Sequence, residues 1–488
     1  MKKAMRTLCA VLVVTLMMAI MAGCQPKAAE ELYIFNTKGE NADAMQAAAN
    51  KFTEETGIKT KVFSLGSGTD STEIMRTEMN SKSKPAIFCI MNAEGLPEWT
   101  ESGYARPLSE AKTEEFKKLV ESIPQDFNLT ADGKTNYGIP FNVEGYGYVV
   151  DTQMLADIFG TDGTAVAEAI RTATYEEWEA AVKALTAYIK DGTASSVTFS
   201  GKSFQMAASK TGKAATLEGV FSTAGSQTWT YGDHMLNVAI NAVFSTPVEA
   251  RNATKAQVES LKGPFLSYAK ALDLKTGNAI TARSPEFIND TTNGYDASVE
   301  NLAAGKAIFL KQGNWVYGNF ANTSNPGIVD TLTFVPVKMP FTDSDVVAPN
   351  RTAVSINESI PVFVPNYYVI NAKVSAQEQE WAEKFLVWLN TSESGQKFVI
   401  EDMAFIPFNA DPATTKVPNS LGNSIIKYIN DGATISNPYA GAPTNWSGNT
   451  VGRYIMENYL TKAEWTDADY DAIAQYAVDQ WISMKGLK

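Results

Sequence analysis

Histidine is nearly absent from this chain: His234 is the only one among 488 residues. A zinc site built on several imidazoles is therefore excluded, and any histidine-based catalytic triad would have to use that one ring. Cysteine is almost as scarce, with Cys9, Cys24 and Cys89 only and no CxxC pair. Charged residues make up 19% of the chain, too few for a coiled coil or a disordered polyelectrolyte. The formal charge is −13 and no Lys/Arg cluster interrupts it, which argues against a nucleic-acid binder. No G-x-S-x-G elbow is present. Gly201-Lys202-Ser203 and Gly133-Lys134-Thr135 look like P-loop ends, but the glycine required five residues earlier is Ser196 in one and Asn128 in the other. Gly66-Ser67-Gly68 has Ser71 where a dinucleotide loop wants its third glycine.

What is present begins with an export signal. Lys2, Lys3 and Arg6 precede the uncharged, mostly apolar run Leu8 to Met21, which is too short and wrongly flanked for a spanning helix. Met21-Ala22-Gly23-Cys24 then resembles a bacterial lipobox, which implies cleavage before Cys24 and a lipid on its thiol. Met21 stands where leucine is usual. With Cys9 removed and Cys24 lipidated, Cys89 has no partner and disulfides are not expected. The expected order is a signal peptide at 1–23, a tether at 24–30, and a mature chain outside the cytoplasmic membrane.

The mature chain is long enough for two lobes, and 44% hydrophobic residues suffice for a sizeable core. Leu32 to Phe35 reads as a buried strand. Met45, Ala48, Ala49 and Phe52 fall at helical spacing, after Asn41 or Asp43 as a cap and before Gly57 as a left-handed stop. Ile58 to Phe63, Ser71 to Ser81 and Ala86 to Met91 continue the alternation, predicting β-α-β-α-β with parallel strands. Such sheets bind ligands beyond the carboxyl ends of their strands. Asp132-Gly133-Lys134 predicts a turn, Gly147 to Val150 a strand, and Tyr175 to Ile189 and Gln377 to Leu389 amphipathic helices. A last helix starts near Thr466, with Asp469 placed for a capping box and Tyr470, Ile473, Ala474, Ala477 and Trp481 on one face. The stretch from Asp191 to Ser245 shows no clear period.

Six segments in this order resemble the extracellular solute-binding proteins of ATP-driven importers, in the carbohydrate-binding family that includes maltose-binding protein. They are Lys51 to Lys59; Pro85 to Phe88 with Ser102 to Leu108; Asp132 to Lys134 with Tyr137 to Pro140; Leu302 to Phe309 with Gly313-Asn314-Trp315; Ala382 to Leu389 with Ser394 to Phe398; and Phe405 to Pro407. The resemblance implies an α/β fold of two lobes around a cleft. Crossings are expected near Phe141 to Tyr146, Pro365 to Asn371 and Asn409 to Thr414. One lobe would comprise 31–142 plus 366–412, the other 143–365 plus 413–488. Binding would close the hinge, and an importer permease would read the closed form.

The resemblance also implies a ligand set. A sugar needs aromatic plates for its apolar faces and carboxylates or amides for its hydroxyls. Trp315, with Asn314 and Tyr317 beside it, is the expected stacking aromatic of the cleft loop. Trp446 matches a second such position. Glu144 at the first crossing and Glu94 after the third strand are the expected hydroxyl binders, with Asn92 in the same loop and Lys38 after the first strand. Met91 stands where the maltose binder has tryptophan, which points away from malto-oligosaccharide. Phe204 and Trp229 are further aromatic candidates. The expectation is a monomeric, lipid-anchored, non-catalytic carrier of a carbohydrate to an ABC permease, needing neither cofactor nor metal. Two alternatives stay open: a surface glycan-processing enzyme, and the same fold binding a different solute or serving as a receptor without a permease.

Overall fold

The computed structural model describes residues 31–65, 72–91, 95–411 and 413–488. The export signal, Cys24, the tether, and the loop residues Asn92 and Glu94 lie outside the described residues.

Thirteen strands are described: β1 Leu32–Asn36, β2 Thr60–Ser64, β3 Ile87–Met91, β4 Gly138–Pro140, β5 Glu144–Asp151, β6 Ser196–Phe199, β7 Lys202–Gln205, β8 Gly219–Ser222, β9 Ala307–Gly313, β10 Leu332–Val335, β11 Ile360–Phe363, β12 Asn366–Ile370 and β13 Thr434–Ile435. They form two larger sheets and a hairpin. The first sheet runs β2-β1-β3-β12-β4, with β1 parallel to β2 and β3 and β12 antiparallel to β3 and β4. The second runs β13-β11-β5-β9-β8, with β10 also on β5. β6 and β7 pair only with each other.

The local chemistry explains the first sheet. All five residues of β1 are buried, as a parallel strand covered on both faces requires. The helix Ala42–Thr56 buries Met45, Ala48, Ala49 and Phe52 and ends at Gly57 with φ 74°, a conformation that costs glycine nothing. Asn41 occupies its N-cap position, yet its side chain makes no capping hydrogen bond. In contrast, the capping box of Thr466 and Asp469 forms as expected at the helix Asp467–Lys485. The helix Ala376–Thr391 presents Phe385, Leu386 and Leu389 to the core. It also buries Glu383, which accepts from the Arg106 guanidinium, the Lys112 and Thr113 amides and the Thr113 hydroxyl. Cys89 is free and buried, and that burial pushes its thiol up to about 12.

The chain passes between the two sheets twice within a few residues, from β4 through Phe141, Asn142 and Val143 into β5, and from β11 through Val364 and Pro365 into β12. Ile406 bridges Val143, so a third segment lies against the first passage. One hydrophobic cluster runs through this region, joining Ile34 and Tyr368 of the first sheet to Val149, Leu310 and Ile360 of the second through Phe141, Val143 and Phe405.

The stretch without sequence period is made of short pieces. It holds the β6–β7 hairpin, strand β8, a π-helical turn Thr230–Met235 and the helix Leu236–Ile240. That helix is buried on every side, so no polar face marks it in the sequence.

Candidate ligand-binding site

The sheets put their carboxyl ends where the chain changes sheet. Lys38 follows β1, and Glu144 opens β5 immediately after the first passage. Their side chains form a buried ion pair, Nζ to Oε1 at 2.6 Å. Asn142 Nδ2 donates to the same oxygen at 3.0 Å. Glu144 Oε2 receives no hydrogen bond from the described residues. Lys38 is further positioned by Asn36, whose Oδ1 accepts from the Lys38 amide, and its ammonium lies 5.5 Å from the Phe405 ring centre. A buried carboxylate with a lysine on one oxygen can accept a hydroxyl hydrogen bond of the charge-assisted, stronger kind on the other.

Glu144 and Tyr146 share one face of β5, because side chains alternate along a strand. Around Tyr146 gathers an aromatic group that the sequence did not assemble. His234 stacks on its ring at 4.2 Å and 13°, and Phe363 meets it edge-on at 5.9 Å. Trp315 lies 5.2 Å from His234 and 6.2 Å from Trp229. Trp229, Trp315 and Phe363 are half-buried, so each contributes ring surface to the edge of the group. The strand β9 ends at Gly313, and the Trp315 ring lies where a side chain at 313 would be: a Cβ there would come within 2.0 Å of it. Glycine is thus required for the indole to lie down on the strand. The Trp315 Nε1–H donates to Gln312 Oε1 at 3.0 Å, which holds the ring's rotation.

Electrostatics within the group follow from burial. Desolvation drives His234 well below the usual imidazole value, and the Lys311 charge adds to this. Asp233 is raised by burial although Ser447 and the Gly448 amide donate to it. Burial also pushes the Tyr146 phenol up, and its hydroxyl donates to Asn437 Oδ1 at 2.7 Å.

The structure brings together Lys38, Glu144, Asn314 and Trp315 of the expected set. Asn314 is a brace: its Oδ1 accepts from the Gly145 amide at 3.0 Å, tying the cleft loop to β5. Tyr317 is half-buried but makes no ring contact with the group among the described residues; its phenol is raised by burial and by Asp330. Trp446 is a correction. It is fully buried, packs edge-on against Trp481 at 4.6 Å, and donates its Nε1–H to Ala477 O at 2.9 Å. Its indole N–H is satisfied and its ring lies wholly within the core, so it offers a ligand nothing. Phe204 likewise packs with Phe159 and Phe199, away from Tyr146. Trp229 joins the group, as do Tyr146, His234 and Phe363, which sequence reasoning missed. Tyr146 could have been found, since it lies two residues after Glu144 on the same strand face.

Among the described residues no group of three His, Cys, Asp or Glu side chains could hold a metal ion, and no helix is long and apolar enough to cross a membrane.

Residues 47–422 match the family model described as bacterial extracellular solute-binding protein. The chain belongs to that family. As a solute-binding protein it is a binder and not a catalyst, and its two mixed α/β sheets match solved structures of other such proteins. RafE of Streptococcus pneumoniae in its apo form aligns with a TM-score of 0.63 at 14% identity, over 94% of this chain and 99% of that one. RafE has also been solved in complex with raffinose. The GacH receptor of Streptomyces glaucescens, solved unliganded and with acarbose, aligns at 0.60 and 13% identity over 95% and 100%. A Streptococcus pneumoniae solute-binding protein in complex with the blood group A-trisaccharide aligns at 0.57 and 15% over 94% and 100%. No curated protein sequence matches this solute-binding protein.

Proposed function

We propose that this solute-binding protein captures a carbohydrate of oligosaccharide size and delivers it to the permease subunits of an ABC importer, while a lipid on Cys24 holds it at the outer face of the cell membrane. The observation that carries this reading is the juxtaposition of half-buried indoles, Trp229 and Trp315, with the Glu144 carboxylate on the strand that opens at the passage between sheets. Indole faces suit the C–H faces of a sugar ring, and a carboxylate with an open oxygen suits its hydroxyls. The sugars held by the solved structures of similar fold support the same class of ligand.

In this reading Lys38, Glu144, Trp315 and Trp229 contact the sugar, with Asn314 and Tyr317 on the cleft loop and Asn92 and Glu94 on the loop after β3. The lobes are 31–142 plus 366–412 and 143–365 plus 413–488, and the ligand acts by stabilising the closed arrangement through contacts with both.

A thermal-shift screen of the purified protein against oligosaccharides, single sugars, peptides, polyamines and anions tests the function. Ligand at a hundredfold excess over Kd adds about 2.7 kcal/mol to stability, enough to raise the melting temperature by several degrees. A shift with one sugar class, the sugar recovered intact, is the expected result. A shift with peptides or polyamines alone overturns the carbohydrate assignment, and consumption of the sugar overturns the carrier reading. Replacing Cys24 with serine should release the protein from the membrane fraction; retention there would refute the lipid anchor.

A further inference from the structure

The aromatic group around Tyr146 conceals an amine. Lys311 is buried on β9, and among the described residues its Nζ has no hydrogen-bond partner. It stands 4.5 Å from the Tyr146 ring centre and 5.8 Å from that of the half-buried Trp229. No carboxylate of the described residues pairs with it. The charged and titratable groups within its electrostatic reach are Asp233, Lys275 and His234, so two amines and an imidazole face one acid. That acid already accepts from Ser447 and Gly448. Two further buried atoms beside Tyr146 lack partners: His234 Nδ1 and Asn437 Nδ2. His234 stacks on the Tyr146 ring, and Asn437 accepts the Tyr146 hydroxyl proton. Orphaned polar atoms at this density are unusual, since native proteins satisfy nearly all such groups. An unpaired buried ammonium is the costliest kind.

The same place is locally irregular. Trp229 leads into the π-helical turn Thr230–Met235, which carries Asp233 and His234. π-Turns of this kind occur often at functional sites. Of the two rings over the amine, Tyr146 is fully buried and the Trp229 indole, seated on an irregular turn, is the partly exposed one.

Taking the carbohydrate reading as given, we propose that the solute is an acidic sugar whose carboxylate is paired by Lys311 and hydrogen-bonded by Asn437, with Trp229 moving aside to admit it. Lys38 does not serve this purpose, because Glu144 already balances it. A chain of formal charge −13 repels an acidic solute at long range, so recognition has to come from a local cation. Lys311 supplies one at the aromatic wall where a sugar ring would stack. Pairing with the carboxylate favours the ammonium form that burial disfavours, and charge balances within the site.

The test is isothermal titration of the purified full-length protein with oligogalacturonate, sialyllactose and glucuronoxylo-oligosaccharide, each against its uncharged counterpart. One acidic sugar should bind at least about 30-fold more tightly than its neutral counterpart, as expected for a buried charge pair. Lys311→Met should abolish that preference. It should not lower the melting temperature of the free protein, since a buried unpaired amine is replaced by an apolar chain of similar length. Equal binding of neutral sugars by wild type and variant overturns the acidic-sugar proposal and leaves the carbohydrate reading standing. Absence of binding by any sugar overturns both. Stabilisation by acetate or chloride as large as by the acidic sugars marks a small-anion site and also overturns the proposal. The comparison of acidic with neutral sugars needs no variant, so it decides the matter even if the substitution disturbs folding.

Discussion

Two tryptophans that look equivalent in sequence have opposite surroundings. Trp315 lies half-buried at the edge of the Tyr146 group, while Trp446 fills the core of the second lobe against Trp481 and Phe265. Trp315→Ala should weaken ligand binding by tenfold or more and cost little stability. Trp446→Ala should cost about 3–5 kcal/mol as a cavity and leave the affinity of the remaining folded protein nearly unchanged. Urea unfolding and titration of both variants check this, and a reversed pattern would return Trp446 to the ligand set. Two other lysines give the protein a pH signature. Burial lowers Lys275 to about 8 and Lys338 to about 7, against about 10.4 in an unfolded chain. Between these values the unfolded state holds protons that the folded state has released. Stability therefore rises with pH from about 7 towards 10 and is flat below that for these two groups. Above about pH 10 the sign reverses, because buried phenols such as Tyr148 and Tyr367 are held protonated in the fold but ionise when it opens. Lys275→Met should flatten part of the rise; the urea midpoint at pH 7 and pH 9.5 measures it.

At the scale of elements, the second lobe depends on two π-helical turns packed glycine to glycine. A Cβ on Gly232 would come within 2.8 Å of Gly452 Cα and 2.9 Å of Gly448 Cα. The Gly448 amide donates to Asp233 Oδ1 at 2.6 Å, so the contact also fixes the one carboxylate near Lys311. Backbone on both sides cannot yield as a flexible side chain would. Gly232→Ala should lower the melting temperature by several degrees and weaken binding together, since it shifts the turn bearing Asp233 and His234. Retained stability with normal binding would show that the two turns separate freely. Trp446 belongs to this arrangement: it opens the second π-turn, Trp446–Gly452, and anchors it in the core.

Across the whole molecule, contacts away from the candidate site join segments assigned to the two proposed lobes. Arg251 Nη1 donates to Ala131 O at 3.3 Å, and the turn at Gly133 packs against Val248, 3.4 Å from the position of a Cβ. The chain segments involved belong to different proposed lobes, and in that reading these contacts favour the approach of the lobes. Arg251→Ala should reduce the population of the closed arrangement. It should then weaken the affinity for any ligand by a few-fold, without touching the ligand, because apparent affinity scales with the competent fraction. Small-angle scattering of the free protein should show a larger radius of gyration for the variant and the same radius as wild type when both are saturated. An unchanged free radius would show that this contact does not hold the lobes.

The sequence by itself determined the parallel β-α-β-α-β start, the helix faces, the Gly57 stop and the Thr466–Asp469 capping box. All of these are set by neighbours within about one helical turn or one strand, where spacing and residue type are the whole physics. It also supplied Glu144, Lys38 and Trp315, through segments whose order resembled a known family. Tertiary structure alone decided what lay around them. Glu144 and Lys38 are 106 residues apart and meet only because the chain changes sheet at Asn142. Whether a tryptophan lines a cleft or fills a core depends on which remote elements cover it. The irregular stretch before Ser245 had no period to read because its helix is buried all round, and Tyr146, His234, Trp229 and Lys311 become one group only when β5, β9 and the π-turn are folded against one another.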